Sequence, residues 1–261
     1  MRHVRVLGLC LVAVFAFGAI AASTASAAEP ALYECAKLKK NAKTKKYEGK
    51  YTNKTCSTVS EKSEGEYELQ EGIGKGKEFK GKGSAGDLEV IGVGEVQCTK
   101  SADTGKFNSP KTADDVKVTF TGCSTLGHKC ESAGAASGEI KTETLEGEVG
   151  YLNKATPLVG VDLKPQSGIY LAQFTCNPEE LNLRVRGSVI GEVLPPYNHF
   201  TKEATLKFHS HDGTQEWESF EGGLKDTLVA ESCFGCEPSG EAPSGESQVV
   251  VNKGEELELK A

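Results

Sequence analysis

His209 and His211 flank Ser210, and in a strand such a pair shares one face because side chains alternate. Two imidazoles so placed suit Zn²⁺ or Cu²⁺, with Asp212 and Glu216 close in sequence. A structural zinc site needs four ligands and a catalytic one usually three. The run also reads as the polar end of a hairpin beside Lys207, so no metal site is assigned. Cys233 and Cys236 have the spacing of a redox dithiol, but Glu231 and Glu237 disfavour a thiolate, and the surrounding Pro/Gly-rich loop is not the start of a helix. A small structural disulfide fits better. The stretch Gly76-Lys77-Glu78-Phe79-Lys80-Gly81-Lys82-Gly83 approaches the phosphate-loop spacing, yet Gly83 stands where a Ser or Thr must hold Mg²⁺. No G-x-S-x-G follows residue 27, and nothing singles out a triad around His128, His199, His209 or His211. Glycosidase chemistry needs two carboxylates about 5–10 Å apart. With 37 acidic residues some pair always meets that test, so it selects nothing. No catalytic residue and no cofactor are assigned.

One cluster is less ordinary. Lys37, Lys39, Lys40, Lys43, Lys45, Lys46, Lys50 and Lys54 crowd a short stretch with Tyr33, Tyr47 and Tyr51, and only Glu48 opposes them between residues 37 and 54. The remainder of the chain is acidic, so charge is segregated along the sequence. Lys39, Lys40, Lys43, Lys45, Lys46, Tyr47 and Tyr51 form the candidate binding patch. Its partner would be an anionic cell-wall or extracellular polymer, with tyrosine rings to stack on sugars. The plainer reading is a solvated loop kept soluble by its lysines.

The elements that must carry these residues are strands. Val116, Val118 and Phe120 alternate with Lys117 and Thr119; Leu181, Leu183, Val185 and Val189 alternate with Asn182, Arg184, Arg186 and Ser188; Ala204, Leu206 and Phe208 alternate with Thr205, Lys207 and His209. Each pattern sends one face to a core and the other to water. Turn signals punctuate them at Pro165–Gly168, Pro195–Asn198 and Asp212-Gly213. The expected fold is all-β, an antiparallel sandwich or barrel with several disulfides. A Lys/Gly-rich β region is expected over 28–84 and the main antiparallel domain over 85–261. Within that domain a flexible loop is expected near 237–246, and a final hairpin about Asn252-Lys253-Gly254.

Arg2 and Arg5, the apolar run from Val6 to about Ala22, and Ala25-Ser26-Ala27 read as a signal peptide over 1–27. Its removal takes the net charge from −7 to −9, which argues against a nucleic-acid binder. No second run of membrane length follows, so no transmembrane segment is expected in the mature chain. Of nine cysteines, Cys10 leaves with the signal. Cys35, Cys56, Cys98, Cys123, Cys130, Cys176, Cys233 and Cys236 remain, an even number that reads as disulfides in an exported chain. Eight cysteines admit 105 pairings. Sequence proximity favours Cys35–Cys56, Cys123–Cys130 and Cys233–Cys236, leaving Cys98 with Cys176.

Several stretches coincide with a family pattern. They are Val118-Thr119-Phe120-Thr121-Gly122-Cys123, Cys130–Thr142, Phe174-Thr175-Cys176, Val185–Gly191, and Gln215 ahead of Phe220-Glu221-Gly222-Gly223. Together they resemble a group of exported proteins of soil actinobacteria, present as many paralogues with no activity assigned to the group. The resemblance implies a Gram-positive exported protein and brings no catalytic residue or ligand. The expected function is therefore a secreted or surface-associated, non-enzymatic protein that binds anionic cell-wall polymer. The alternative is a secreted polysaccharide hydrolase with carboxylates in a sheet cleft. A metal carrier at His209 and His211 is a third reading.

Overall fold

Val116 is buried while Lys117 beside it is exposed, and Leu183 and Val185 are buried while Asn182 and Arg184 are exposed. This alternation is what an amphipathic strand needs to lay one face on a core. The computed structural model describes residues 29–72, 76–90, 94–176, 181–211, 214–223, 228–232, 237–251 and 256–261, with backbone only at 211, 232 and 237–251. Among these residues the regular structure is β, and the strands pair antiparallel throughout. In chain order they are β1 (Ala31–Lys37), β2 (Tyr67–Glu71), β3 (Glu78–Val90), β4 (Gly94–Cys98), β5 (Lys100–Phe107), β6 (Thr112–Thr121) and β7 (Ser124–Thr125). Then come β8 (His128–Glu131), β9 (Glu139–Lys141), β10 (Leu145–Asn153), β11 (Leu158–Pro165), β12 (Tyr170–Cys176), β13 (Leu181–Gly187) and β14 (Val189–Val193). The last are β15 (Phe200–Thr201), β16 (Glu203–Phe208), β17 (Ser210–His211), β18 (Thr214–Gln215), β19 (Leu228–Ser232), β20 (Glu237–Val251) and β21 (Leu257–Lys260).

The two longest strands organise the body. β3 and β20 form one antiparallel ribbon from Glu241 opposite Val90 to Val251 opposite Phe79. Each exchanges its outer neighbour partway along. β3 pairs with β5 over Glu78–Gly83 and with β4 over Gly86–Val90, while β20 pairs with β19 over 237–240 and with β16 over 245–250. The changeover coincides with a register irregularity between Gly245 and Ser247, where a bulge bends the ribbon. Two circuits of paired strands result. One runs β3-β5-β6-β10-β11-β14-β16-β20, and the other runs β3-β4-β7-β8-β12-β13-β19-β20. The layers face each other across a shared apolar interior, so the body is sandwich-like rather than one regular closed barrel.

A separate four-stranded sheet, β15-β21-β1-β2, lies across one rim of the first circuit. Leu32 N–H donates to the Pro110 carbonyl at 2.9 Å, and Asn198 N–H donates to the Leu259 carbonyl at 2.7 Å. Leu257 packs on Leu32 and Phe107, and Leu259 packs on the cluster of Tyr151, Val159 and Val193.

The division expected at residue 84 falls inside β3, and β1 pairs with β21, so the first and last strands share one sheet. The run expected as a flexible loop near 237–246 lies within β20: residues 237–240 pair with β19, those from 241 with β3, and those from 245 with β16 as well. Its extended form is tertiary in origin, since other strands take the backbone hydrogen bonds of this Pro/Ser/Gly-rich run. The final hairpin is also corrected. β21 pairs with β1 and β15, and β20 with β3, β16 and β19. Residues 212–213, 252–255 and the segment expected to be a signal peptide lie outside the described residues; β17 and β18 pair antiparallel.

Three disulfides are described. Cys35–Cys56 is as sequence proximity suggested. The other two are Cys98–Cys123 and Cys130–Cys176, which corrects the expected Cys123–Cys130 and Cys98–Cys176. Cys123 and Cys130 are neighbours across the β7–β8 hairpin, since Cys130 N–H donates to the Cys123 carbonyl at 3.1 Å, but each is bonded to a different strand. Pairing of Gln97 with Ser124 brings Cys98 against Cys123, and Cys176 sits opposite Cys130 in the β12–β8 register. Both Cα–Cα separations are 4.0 Å. Cys10, Cys233 and Cys236 lie outside the described residues.

Candidate functional site

The lysine/tyrosine stretch forms a small lobe between β1 and β2. Its backbone is held by bridges between Gly49 and Gly65 and from Tyr51 to both Val59 and Tyr67, and Cys35–Cys56 pins its far end. The chains approach so closely that a Cβ on Gly65 would strike the Tyr51 carbonyl, which is why glycine stands there. Lys39, Lys40, Lys43, Lys45, Lys46 and Lys54 are exposed, while Tyr47 and Tyr51 are half-buried. The fold also brings in acid from the segment leading into β2. Lys46 Nζ lies 2.8 Å from Glu64, and Lys37 Nζ 3.0 Å from Glu66. The hydrogen bond from each lysine to its carboxylate raises the ammonium pKa above the ordinary lysine value. Lys39, Lys43, Lys45 and Lys54 have no ion pair among the described residues. The tyrosines carry lysines over their faces, with Lys40 Nζ 5.2 Å from the Tyr47 centroid and Lys50 Nζ 5.6 Å from that of Tyr51. The arrangement offers cations more readily than bare rings.

His209 Nδ1 is 3.6 Å from Glu216, and no group of three or more metal-ligating side chains occurs among the described residues. The glycine-lysine run begins with Gly76, whose N–H donates to the Phe107 carbonyl, and continues as β3 from Glu78.

Sequence patterns did not point to the second feature. The body contains an apolar cavity of about 330 Å³ that is partly open to solvent. Its walls come from inward rows of the first circuit, including Phe79, Phe107, Val118, Leu163, Val161 and Phe208. Leu171, Phe174 and Val185 line it toward the second circuit, and Leu32, Leu257 and Leu259 toward the small sheet. Two of the aromatic rings lie along the wall because glycine faces them. A Cβ on Gly105 would collide with the Phe79 ring, and one on Gly191 would come within 2.7 Å of the Phe208 ring. Asp103, only 8% exposed, also lines the cavity, its carboxylate lying over Gly81. The signal for this in the sequence is glycine at inward positions of otherwise alternating strands, as in Asp103-Thr104-Gly105-Lys106-Phe107. Read alone, that spacing looks like a weak strand.

Fold and sites together define an all-β, disulfide-bonded protein with an apolar cavity in its body and a basic lobe on one end of its sequence. Its disulfides are of the kind that persist outside the reducing cytosol. No helix among the described residues is long and apolar enough to cross a membrane. No family model, no curated protein and no solved structure matches the chain.

Proposed function

We propose that the protein is exported and acts as a non-enzymatic binding protein at the cell surface, its basic lobe resting on anionic cell-wall polymer. The observation that carries this reading is the set of exposed lysines, Lys39, Lys40, Lys43, Lys45 and Lys54, on a disulfide-pinned lobe of an otherwise acidic chain. Exposed charges of this kind attract a polyanion over roughly a Debye length, about 10 Å at 0.1 M salt, so the attraction fades as salt rises. The resemblance to exported actinobacterial proteins supports the location. The test is co-sedimentation with purified Gram-positive cell walls across a salt series. The native protein should pellet at low salt and stay in solution at about 1 M, where the Debye length is about 3 Å. A variant with Lys39, Lys40, Lys43, Lys45 and Lys46 changed to Gln should lose most binding at every salt. Absence of sedimentation at low salt would leave the lysines as solubility residues and discard the proposal.

A further inference from the structure

We propose that the internal cavity is a binding site for one small, uncharged apolar molecule. Protein interiors are packed to the density of organic crystals, and voids larger than a few waters are rare. This one, about 330 Å³, is on the order of twice the ~150 Å³ engineered apolar cavity that admits benzene, and it falls within the range of ligand sites. The space is built into the sequence. Gly105 and Gly191 let the Phe79 and Phe208 rings lie along the wall rather than across the lumen.

The lining also sets the ligand's charge. Apart from a few hydroxyls, its polar side chains are Asp87, Asp103, Glu203 and Lys111, and Lys111 is ion-paired with Glu29. These are sparse on an otherwise apolar wall, which gives an ionic head little compensation for lost hydration. A neutral molecule of about two rings, or a short neutral chain, avoids that penalty. The site does not depend on the basic lobe, so the two proposals fail independently.

The probe is N-phenyl-1-naphthylamine, which is neutral and fluoresces when removed from water. It is titrated into the exported, oxidised protein beside the anionic 1-anilinonaphthalene-8-sulfonate. Trp217, the only tryptophan, gives a second readout by energy transfer. Expected is saturable one-to-one binding of the neutral probe, at least tenfold tighter than the sulfonate, with a rise in Tm that grows with probe concentration. Val118→Phe and, separately, Val161→Phe fill the lumen from different strands. Each should weaken the neutral probe at least tenfold while unfolding remains cooperative. Leu126→Ser with Ile169→Ser removes two of the exposed apolar side chains, 81% and 60% accessible, and should leave binding unchanged. No saturation with the folded native protein would overturn the site. So would binding that survives both filling variants, or binding abolished by the surface pair. Preference for the sulfonate would overturn the assignment of an uncharged ligand.

Discussion

At the scale of single residues, Tyr197 shows how a polar group is tied into an apolar cluster. Its hydroxyl donates to the Val193 carbonyl at 2.7 Å and accepts from the Val159 N–H at 3.4 Å, joining the ends of β14 and β11 beneath β21. Burial raises its pKa above 10.0, against a smaller opposing effect of the Val159 hydrogen bond. A phenol whose folded-state pKa is raised binds its proton more tightly when folded. Its contribution is therefore complete below the unfolded value near 10 and is lost as pH rises through the folded value. Stability should fall above about pH 10, and Tyr197→Phe should flatten that alkaline limb in urea titrations at stepped pH. The same substitution should cost about 1–3 kcal/mol at neutral pH, since it removes both hydrogen bonds of the hydroxyl.

At the scale of elements, the basic lobe and the strand circuits have different supports. The lobe is held by isolated bridges, exposed ion pairs and Cys35–Cys56, with little apolar surface beneath it. Exposed ion pairs contribute little, so the disulfide dominates. Replacing Cys35 and Cys56 with Ala should open residues 38–66 to protease at the exposed lysines. The main unfolding transition should keep its Tm within a few degrees, because the circuits and their core are untouched. Loss of the whole transition would show instead that the lobe is integral to the body.

At the scale of the whole molecule, Cys98–Cys123 and Cys130–Cys176 tie four strands or strand ends of the second circuit where its hydrogen bonding is thinnest. β7 is only two residues long and pairs with β4 at Gln97 and Ser124. The four sulfurs lie in buried side chains, with Cys130, Cys123 and Cys176 at 0%, 1% and 1% exposure. Cys130–Cys176 spans 46 residues, and closing a loop of that length in the unfolded chain is worth about 4 kcal/mol by the chain-entropy estimate. Replacing both cysteines with Ala should cost about 3–5 kcal/mol in denaturant unfolding. Peptide mapping of the oxidised protein should return 98–123 and 130–176, and recovery of a 123–130 peptide would contradict the fold.

How much of this was legible beforehand follows from which interactions are local. Alternation at Val116–Phe120 and Leu181–Val185 dictates amphipathic strands wherever the chain puts them, because a period of two is a property of the backbone. The all-β class therefore came from the residues alone, as did the Cys35–Cys56 bridge within one short excursion. The order of strands did not. Whether Cys98 meets Cys123 or Cys176 depends on which strand lies beside β4, and that is set by long-range register. The run at 237–246 has the composition of a loop, yet it is a strand because β3, β16 and β19 take its hydrogen bonds. The lysines were visible as a charge run, but Glu64 and Glu66, which neutralise two of them, arrive only when β2 folds back. The cavity lay furthest from the sequence. A glycine on an inward row is a local fact, whereas the ring lying over it belongs to a neighbouring strand, and only the assembly of both circuits and the small sheet gathers those gaps into one cavity.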